Sequence, residues 1–466
     1  MRIAVIGTGY LGAVHAVGMA AIGHDVVGAD IDPAKIASLA GGRAPFFEPG
    51  FPEILATTLE SGRLRFTTSL ADAATGADVV FICVGTPQVP GSDRADMRFV
   101  DAVVEEIGIH LGASALVVGK STVPVGTAAR VQARLNTLRA GMPSVEVAWN
   151  PEFLREGFAV EDTLRPDRIV VGAATERSIA VLEQLYAPLL QQQIPFIRTD
   201  LATAELVKAA ANSFLATKIS FINAMAEVCE TVGADVTTLA YALGHDKRIG
   251  SLFLRSGVGF GGGCLGKDIR AFRARGTELG AGPALAFLGE VDEINMRRRR
   301  RTVELAAQML GGSVAGSRIT VLGAAFKPNS DDVRDSPALW VARALHEAGA
   351  QVTVHDPEAI DNAKAVAPQL HYRADLLAAI DGAELLVHLT EWDDYRRLEP
   401  AVVADLVAHT RILDARNALP VEKWLAGGWQ VEALGRSLSG GSPESTNWDT
   451  TEVESIIEQS EGVQYA

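Results

Sequence analysis

With 466 residues, the chain is too long for one hydrophobic core, so the sequence predicts two to four domains. A net charge of −15 argues against nucleic acid or an anionic membrane surface as a main partner. Three cysteines give no disulfide framework, and no Cys/His spacing typical of zinc occurs, so we expect a reducing compartment and no metal site. The first residues already form a predicted strand and turn, and no apolar run could span a bilayer. We therefore expect a cytoplasmic protein without a signal peptide.

Residues 1–200 alternate short apolar runs with amphipathic stretches of helical length. The runs end at Gly, Asp or Pro, and they lie at 3–6, 26–29, 79–84, 116–118, 145–149 and 169–171. Apolar strands separated by helices predict a doubly wound α/β fold, in which helices cover both faces of a parallel sheet. We expect this first domain to be a Rossmann domain that binds a dinucleotide.

The cofactor loop follows the first predicted strand, as Gly7-Thr8-Gly9-Tyr10-Leu11-Gly12. In this pattern the first glycine permits a tight turn, the second lets the backbone approach a pyrophosphate, and the third lets the helix pack on the strand. The second strand ends in Asp30, which can bind both ribose hydroxyls and would repel a 2′-phosphate. We therefore predict NAD rather than NADP, with Lys35 near the same ribose.

Three further segments follow predicted strand ends, at the edge where doubly wound sheets bind ligands. They are Gly85-Thr86-Pro87, the segment Ser121-Thr122, and residues 150–157, which include Glu152 and Arg155.

The predicted central domain, residues 201–300, opens with a helix that no Pro or Gly interrupts from 200 to 232. Asp200 is its expected N-cap and Gly233 its expected terminator. A helix so apolar on all sides is expected to be buried between subunits, which predicts a homodimer or a larger assembly. Lys208 and Asn212 share one face of this helix. The arginine run at 297–301 is interpreted as a solvated helix end.

Residues 315–435 repeat the rhythm of strands and helices, with predicted strands at 319–322, 352–355, 385–389 and 412–413. A second, smaller doubly wound domain is expected there. Its first loop, from Gly323 to Lys327, lacks the three-glycine pattern, and we interpret Lys327 as standing where a dinucleotide loop needs glycine. That suits a nucleoside diphosphate better than a second NAD, with Arg334 and Arg416 as candidate anion ligands. Residues 437–466 are predicted to be a mobile acidic tail.

The most informative segment is residues 259–268, where Cys264 stands among glycines and just before Lys267 and Asp268. Glycines let a substrate approach the backbone, and a neighbouring cation favours the thiolate. Cys264 is therefore the candidate nucleophile, whereas Cys83 and Cys229 lie in apolar segments typical of buried thiols.

These motifs, in this order, closely resemble the UDP-glucose/GDP-mannose dehydrogenase family over residues 1–434, and within it the branch that acts on UDP-glucose. The resemblance implies two Rossmann-like domains joined by a long central helix, and a four-electron, NAD-dependent oxidation of a sugar C6 alcohol to a carboxylate. It implies that Cys264 forms a thiohemiacetal and then a thioester.

The resemblance also assigns the remaining roles. Lys208 and Asn212 would stabilise an oxyanion, Glu152 would be a general acid/base, and Asp268 with Thr122 would position water. The NAD side would comprise Gly7, Gly9, Tyr10, Leu11, Gly12, Asp30, Lys35, Gly85, Thr86, Pro87, Thr122, Glu156, Lys267 and Arg334. The nucleotide-sugar side would comprise Glu152, Phe153, Leu154, Arg155, Glu156, Lys208, Asn212, Arg255, Ser256, Gly257, Val258, Gly259, Phe260, Gly261, Phe326, Lys327 and Arg416, with Arg248 reaching in from a partner subunit.

Two positions depart from the family pattern, Gly263 and Gly266, and both predict a looser cysteine loop. The alternatives are a sister enzyme acting on GDP-mannose or a UDP-N-acetylhexosamine, a hydroxy-acid dehydrogenase that needs no thiol, and a non-catalytic sensor of NAD or a nucleotide sugar. The presence of Cys264, Lys208, Glu152 and Asp268 argues against the sensor, and loss of acid formation in Cys264→Ala would separate the proposed enzyme from a hydroxy-acid dehydrogenase.

Overall fold

The computed structural model describes residues 1–438, which form two compact units. The first unit comprises Met1–Ala211 and Ala274–Gly280, and the second comprises Asn212–Arg273 and the residues from Ala281 onward. The predicted tail lies almost entirely outside the described residues. Within residues 1–438, no helix is both long and apolar enough to cross a membrane. No cluster of three or more His, Cys, Asp or Glu side chains in the same part of the chain could hold a metal ion.

The first unit contains an eight-stranded sheet in the order β3-β2-β1-β4-β5-β6-β7-β8. Its first six strands follow the order of a dinucleotide-binding fold, in which the strand order reverses next to β1. Helices cover both faces, and each face has its own apolar core. The strands are β1 Arg2–Ile6, β2 Asp25–Ala29, β3 Leu64–Thr67, β4 Val79–Ile82, β5 Leu116–Gly119, β6 Glu146–Trp149, β7 Ile169–Ala173 and β8 Phe196–Thr199.

One pairing differs from the predicted parallel sheet, because β7 runs antiparallel to β6. Trp149 at the end of β6 lies opposite Gly172 near the end of β7. The connection between the two strands therefore starts and finishes at the same edge of the sheet. The predicted site segment 150–157 follows the carboxyl end of β6, which is parallel to β5, so it starts at the same edge of the sheet as the loops that follow β1, β4 and β5.

Helices connect these strands, and the long helix α9 follows β8. Asp200 accepts a hydrogen bond from the Thr203 N–H at 2.9 Å, and Gly233 has φ of 73°, so the predicted start and end of the long helix are confirmed. The helices are α1 Tyr10–Ala21, α2 Pro33–Ala40, α3 Phe51–Glu60, α4 Leu70–Ala74, α5 Arg98–Ile107 (continued by the 3-10 turn Gly108–His110), α6 Thr127–Leu138, α7 Ala159–Leu164, α8 Glu176–Leu190 and α9 Leu201–Val232.

The second unit contains a six-stranded, fully parallel sheet in the order β11-β10-β9-β12-β13-β14. Relative to its own first strand, this is the order of the first six strands of the first sheet, so the prediction of two doubly wound domains and a long central helix is confirmed. The strands are β9 Arg318–Leu322, β10 Gln351–His355, β11 His371–Tyr372, β12 Leu385–His388, β13 Arg411–Asp414 and β14 Gln430–Ala433. The three-domain division with its predicted boundaries remains a prediction.

The remaining helices include a second long one, α13. They are α10 Val236–Gly244, α11 Leu265–Glu278, α12 Gly282–Leu285, α13 Phe287–Met309, α14 Pro337–Glu347, α15 Ile360–Val366, α16 Leu376–Ile380, α17 Asp393–Arg396, α18 Pro400–Ala404 and α19 Val421–Ala426.

The interpretation of the arginine run at 297–301 as a solvated helix end is wrong. The run lies in the middle of α13, and Arg298 and Arg299 are only 0% and 2% exposed. Arg298 donates to Glu230 at 2.7 Å, and Arg299 donates to Asp335 at 2.8 Å. Acidic side chains from other parts of the second unit therefore offset the cost of burying these two cations.

Candidate active site

The glycine loop after β1 has the geometry that a dinucleotide requires. Gly7 has φ of 90°, and its N–H donates to the Ala29 carbonyl at 2.7 Å. A Cβ on Gly12 would lie 1.8 Å from the Gly7 carbonyl oxygen, so no other residue fits there. Within the described residues, a Cβ on Gly9 would meet no heavy atom within 4 Å, which leaves room for a pyrophosphate.

Asp30 is held in place at the end of β2. One of its carboxylate oxygens accepts hydrogen bonds from the Thr8 N–H and from the Lys35 ammonium, each at 2.9 Å. The other accepts from the Asp32 N–H at 3.1 Å. The structure thus brings together the glycine loop, Asp30 and Lys35, as the sequence predicts for a ribose site.

The Tyr10 hydroxyl forms a hydrogen bond with a carboxylate that the sequence did not indicate. Its hydroxyl donates to Glu48, a buried carboxylate that also accepts from the N–H groups of Gly157 at 2.6 Å and Ala159 at 2.7 Å. Burial and the Glu48 charge raise the pKa of Tyr10. Glu48 therefore ties the glycine loop to the segment that contains Glu156. Its position in a Glu-Pro-Gly turn gave no signal of this role.

The loops after β4 and β5 are joined by side-chain hydrogen bonds. The Thr86 hydroxyl donates to the Thr122 carbonyl at 2.6 Å, and the Ser121 hydroxyl donates to the Val84 carbonyl at 2.7 Å. These bonds fix the predicted residues Gly85, Thr86 and Thr122 on the same edge of the sheet as the glycine loop.

Glu152 and Lys208 form a nearly buried ion pair with 2.9 Å between Oε1 and Nζ. The Lys208 ammonium also lies 5.7 Å from the centre of the Phe153 ring, and the other Glu152 oxygen accepts from the Leu154 N–H at 2.6 Å. Glu205, one turn before Lys208 on α9, accepts from the Gly126 and Ala128 N–H groups at the start of α6. A carboxylate next to an ammonium group matches the predicted roles of general acid/base for Glu152 and oxyanion stabilisation for Lys208, which stay predictions.

Lys120, directly after β5, is a buried cation that was not predicted from the sequence. It adjoins the predicted Ser121-Thr122 segment. Its ammonium donates to Asn150 Oδ1 at 3.0 Å, and the Tyr186 hydroxyl donates to the same oxygen at 2.6 Å. Burial lowers the pKa of Lys120 to about 8, against the attraction of Cys83 and Glu152. Asn150 is thereby fixed two residues before Glu152.

Cys264 directly precedes the first turn of α11, in the second unit. It is exposed, and its carbonyl accepts the helical hydrogen bond from the Asp268 N–H at 2.9 Å. A thiolate at a helix N-terminus is favoured by the helix dipole. The other two cysteines are buried, and burial raises the pKa of Cys83 to about 12 and also raises the pKa of Cys229.

Asp268 connects the predicted catalytic side chain of Asn212 with Lys267, which was predicted on the NAD side. It accepts from Asn212 Nδ2 and from the Lys267 ammonium, each at 2.6 Å, and is only 4% exposed. Asn212, Lys267 and Asp268 therefore form one polar chain in the second unit, one turn after Cys264 on α11.

The predicted nucleotide-sugar residues of the second unit have varied partners. The Arg416 guanidinium donates to the carbonyls of Leu389, Gly259 and Phe326 at 2.7 to 3.1 Å. Arg334 pairs with Asp332 at 2.6 Å, and Ser256 accepts from Asn417 at 3.0 Å. The more exposed members are Arg248, which pairs with Asp246, and Arg255, whose guanidinium lies 4.0 Å from Glu391. Lys327 lies 5.3 Å from the centre of the Phe326 ring.

In the first unit, Arg155 pairs with Asp162 at 2.6 Å. Glu156 lies between Arg155 and Gly157 in the segment that Glu48 holds. Their assignment to the substrate and NAD remains a prediction, as it does for the other site residues.

A doubly wound sheet with this glycine loop, an open position at Gly9 and a fixed Asp30 defines an NAD-dependent oxidoreductase. Models of the UDP-glucose/GDP-mannose dehydrogenase family match three segments: the NAD binding domain over residues 1–190, the central domain over 202–297 and the UDP binding domain over 320–421. The chain belongs to the UDP-glucose/GDP-mannose dehydrogenase family.

Individual relatives agree with this assignment. The chain is 40% identical to the UDP-glucose 6-dehydrogenase TuaD of Bacillus subtilis (strain 168), over 96% of each protein. It is 42% identical to a UDP-glucose 6-dehydrogenase of Rhizobium meliloti (strain 1021), over 94% of this chain and all of that protein. A solved UDP-glucose dehydrogenase from Pyrobaculum islandicum matches with a TM-score of 0.86 and 40% identity, over 93% of this chain and 98% of that chain. A UDP-D-ManNAc dehydrogenase from Pyrococcus horikoshii matches with a TM-score of 0.81 at 27% identity, over 94% and 99% of the two chains.

Proposed function

We propose that this enzyme oxidises the C6 alcohol of UDP-glucose to the carboxylate of UDP-glucuronate, with two NAD consumed per sugar. The observation that carries this proposal is Cys264 at the start of α11, next to the chain formed by Asn212, Lys267 and Asp268. A dehydrogenase that stops at an aldehyde or ketone needs no such thiol. The identity of 40–42% to UDP-glucose 6-dehydrogenases, against 27% to the UDP-D-ManNAc dehydrogenase, favours glucose as the sugar.

The reaction balances as one alcohol, two NAD⁺ and one water giving one carboxylate, two NADH and three protons. Bound NAD supplies the hydride acceptor in each oxidation. After the first hydride leaves C6, the Cys264 thiolate forms a C–S bond with the aldehyde carbon. Loss of the second hydride from that carbon gives a thioester, and water then adds to it and expels the thiolate.

The other side chains handle charge and protons. Lys208 stabilises the oxyanion that forms as sulfur adds to the aldehyde, and Asn212 is a second donor. Glu152, paired with Lys208, exchanges protons with the substrate oxygen and the attacking water. Asp268 and Thr122 orient that water.

The test is turnover of UDP-glucose with NAD, followed by NADH formation and by analysis of the sugar product. We expect two NADH per sugar, and Cys264→Ala is expected to abolish acid formation. Cys229→Ala, which changes a buried thiol, is the matched control and should keep activity. Undiminished acid production by Cys264→Ala would refute the thioester route, and activity restricted to GDP-mannose or a UDP-N-acetylhexosamine would refute the substrate assignment.

We further propose that the enzyme is a homodimer or a larger assembly built on one. Phe214, Phe221 and Val228 recur at every seventh position of α9 and are 67%, 49% and 52% exposed, so they form an apolar stripe. A second copy of the chain is the proposed occupant of this stripe, and it would allow the exposed Arg248 to reach a partner's substrate. Sedimentation should give a dimer or larger species, and Phe214→Glu with Phe221→Glu should shift it towards a monomer. A wild-type monomer at micromolar concentration would contradict this proposal.

We propose that the enzyme acts in the cytoplasm, because a nucleophilic cysteine thiol stays reduced in a reducing compartment. Cell fractionation that follows NAD-dependent UDP-glucose oxidation checks this placement, and activity confined to an exported fraction would contradict it.

A further inference from the structure

Several residues of the segment 257–262, which leads to Cys264, are held by hydrogen bonds although the segment is rich in glycine. The Gly257 N–H donates to Asn223 at 2.9 Å, the Val258 N–H to the Ala415 carbonyl at 2.8 Å, and the Gly262 N–H to the Arg334 carbonyl at 2.9 Å. Residues 257–262 are therefore anchored by their surroundings, and the looseness expected from Gly263 and Gly266, nearer to Cys264, stays a prediction.

Asn295, on α13, makes two hydrogen bonds to the backbone at the centre of this segment. Its Oδ1 accepts from the Phe260 N–H at 2.7 Å, and its Nδ2 donates to the Phe260 carbonyl at 2.9 Å. Asn295 is 1% exposed, so both polar atoms depend on these bonds. A Cβ on the neighbouring Gly259 would lie 2.3 Å from Asn295 Oδ1, which means that the glycine makes room for the amide.

Arg299 extends the contact one helical turn further along α13. Its guanidinium donates to the Phe260 carbonyl at 2.9 Å and to Asp335 Oδ1 at 2.8 Å, and it is 2% exposed. The Asp335 carbonyl in turn would lie 2.2 Å from a Cβ on Gly261. Phe260, which precedes the three glycines before Cys264, is thus fixed by two buried side chains of α13, Asn295 and Arg299.

We propose that Asn295 is a positioning residue for the thiol, acting with Arg299 through Phe260 to hold the Cys264 loop in its reactive conformation. Neither side chain needs to touch the substrate. The inference rests on the proposed function only in taking Cys264 as the nucleophile. Because a misplacement of about 1 Å at a reacting group costs on the order of 100-fold in rate, the expected effect is on kcat.

The test compares Asn295→Ala with the wild-type full-length enzyme. Hydrogen exchange followed by mass spectrometry should show peptides over residues 257–264 exchanging about tenfold faster, with the rest of α13 unchanged. The kcat for NADH formation from UDP-glucose should fall on the order of 100-fold, and KM for NAD should stay within about twofold.

The matched control is Thr302→Val, also on α13. Thr302 is fully buried, and its hydroxyl donates to the Arg298 carbonyl of its own helix at 2.8 Å. This variant should change neither readout. If it reproduces both effects, general loss of stability explains them and the proposal fails.

A second variant covers the case in which Asn295→Ala does not fold. Asn295→Asp keeps the volume and the acceptor for the Phe260 N–H but places an acceptor opposite the Phe260 carbonyl, so faster loop exchange and lower kcat are again expected. Unchanged loop exchange, or kcat within about twofold of wild type, would overturn the proposal. If wild type forms no NADH from UDP-glucose, the proposed function fails, while hydrogen exchange still reports on the loop.

Discussion

The two doubly wound domains begin with the same turn and then diverge. Gly7 and Gly323 each follow a first strand, with φ of 90° and 115°. Their N–H groups donate to the Ala29 and His355 carbonyls at 2.7 and 2.8 Å. The backbone therefore enters both loops in the same way, so any difference in ligand binding depends on the residues after the glycine.

In the first domain a helix starts almost at once. α1 begins at Tyr10, and within residues 1–438 no side chain caps its N-terminus at Gly9. In the second domain residues 324–336 form a loop before α14, and the Ser336 side chain accepts from the Leu339 N–H at 3.3 Å. One helix start is left open for an anion, and the other is closed by its own chain.

The acidic residue after the second strand shows the same contrast. Asp30 is held by a few donors and faces the open loop. Asp356 is 1% exposed and accepts from the N–H groups of Ala324 and Ala325 at 2.7 and 3.0 Å. It also accepts from the Glu358 and Ala359 N–H groups and from the Trp392 indole. The same position after the second strand therefore carries the predicted ribose ligand Asp30 in the first domain and, in the second, Asp356, which holds its own loop.

Lys327 does not stand at a glycine position of the second loop, contrary to the prediction. Aligning the two loops at Gly7 and Gly323 places Ala325 opposite Gly9 and Pro328 opposite Gly12. Lys327 therefore does not occupy a glycine position, although the loop still cannot form a dinucleotide turn.

The largest expected effect is loss of stability in Asp356→Ala. This change leaves several buried N–H groups without an acceptor, at about 1–3 kcal/mol each, so the free energy of unfolding should fall by at least about 4 kcal/mol. KM for NAD should not change. Urea unfolding, with Asp30→Ala as the control, checks this. A smaller loss for Asp356→Ala than for Asp30→Ala would reverse the proposed contrast.

Asp30→Ala should act on cofactor affinity instead. Loss of two carboxylate bonds to ribose hydroxyls, at about 1.5 kcal/mol each, should raise KM for NAD about 100-fold. KM for UDP-glucose should change little. Steady-state kinetics with each substrate varied separates the two, and an unchanged KM for NAD would remove Asp30 from the cofactor site.

Lys120→Met tests the buried cation of the first domain. The folded pKa of Lys120 is about 8, below the ordinary 10.5, so the unfolded chain binds more protons between these values. Wild-type stability should therefore gain about 2 kcal/mol from pH 8 to pH 10 relative to the variant, and the gap should be constant below pH 7. Urea unfolding across this range is the measurement. If the free energies of unfolding of wild type and Lys120→Met changed in parallel with pH, a lowered pKa of Lys120 would be contradicted.

The smallest effect is expected for Gly9→Ala, which gives the first loop the residue that the second has at Ala325. A Cβ there meets no described protein atom within 4 Å, so Tm should not change. The methyl group would occupy the space for the pyrophosphate, and KM for NAD should rise about tenfold. A lower Tm together with the higher KM for NAD would show that the space at Gly9 is not open.

The predicted strands were the interior ones, and the four that sequence reasoning missed are the edge strands β3, β8, β11 and β14. Interior strands of a doubly wound sheet are buried on both faces and form continuous apolar runs. The edge strands are partly exposed, as in Phe196–Thr199, so their sequences resemble loops.

The candidate site was predictable where a residue acts through its own chemistry. Gly7, Asp30 and Cys264 stand in motifs whose spacing along the chain fixes their geometry. Glu48 and Asn295 were not predictable, because each is defined by a partner more than 30 positions away in sequence.

By itself, the sequence determined the two sheets, the long helix, the dinucleotide loop and the candidate thiol, because local periodicity and short motifs specify them. Only the tertiary structure decided that β7 reverses direction, that Arg298 and Arg299 are buried, and that Asn295 grips the cysteine loop. Each of these depends on which groups, distant in sequence, come into contact. Burial of a polar group is stable only when such a partner forms hydrogen bonds or an ion pair with it.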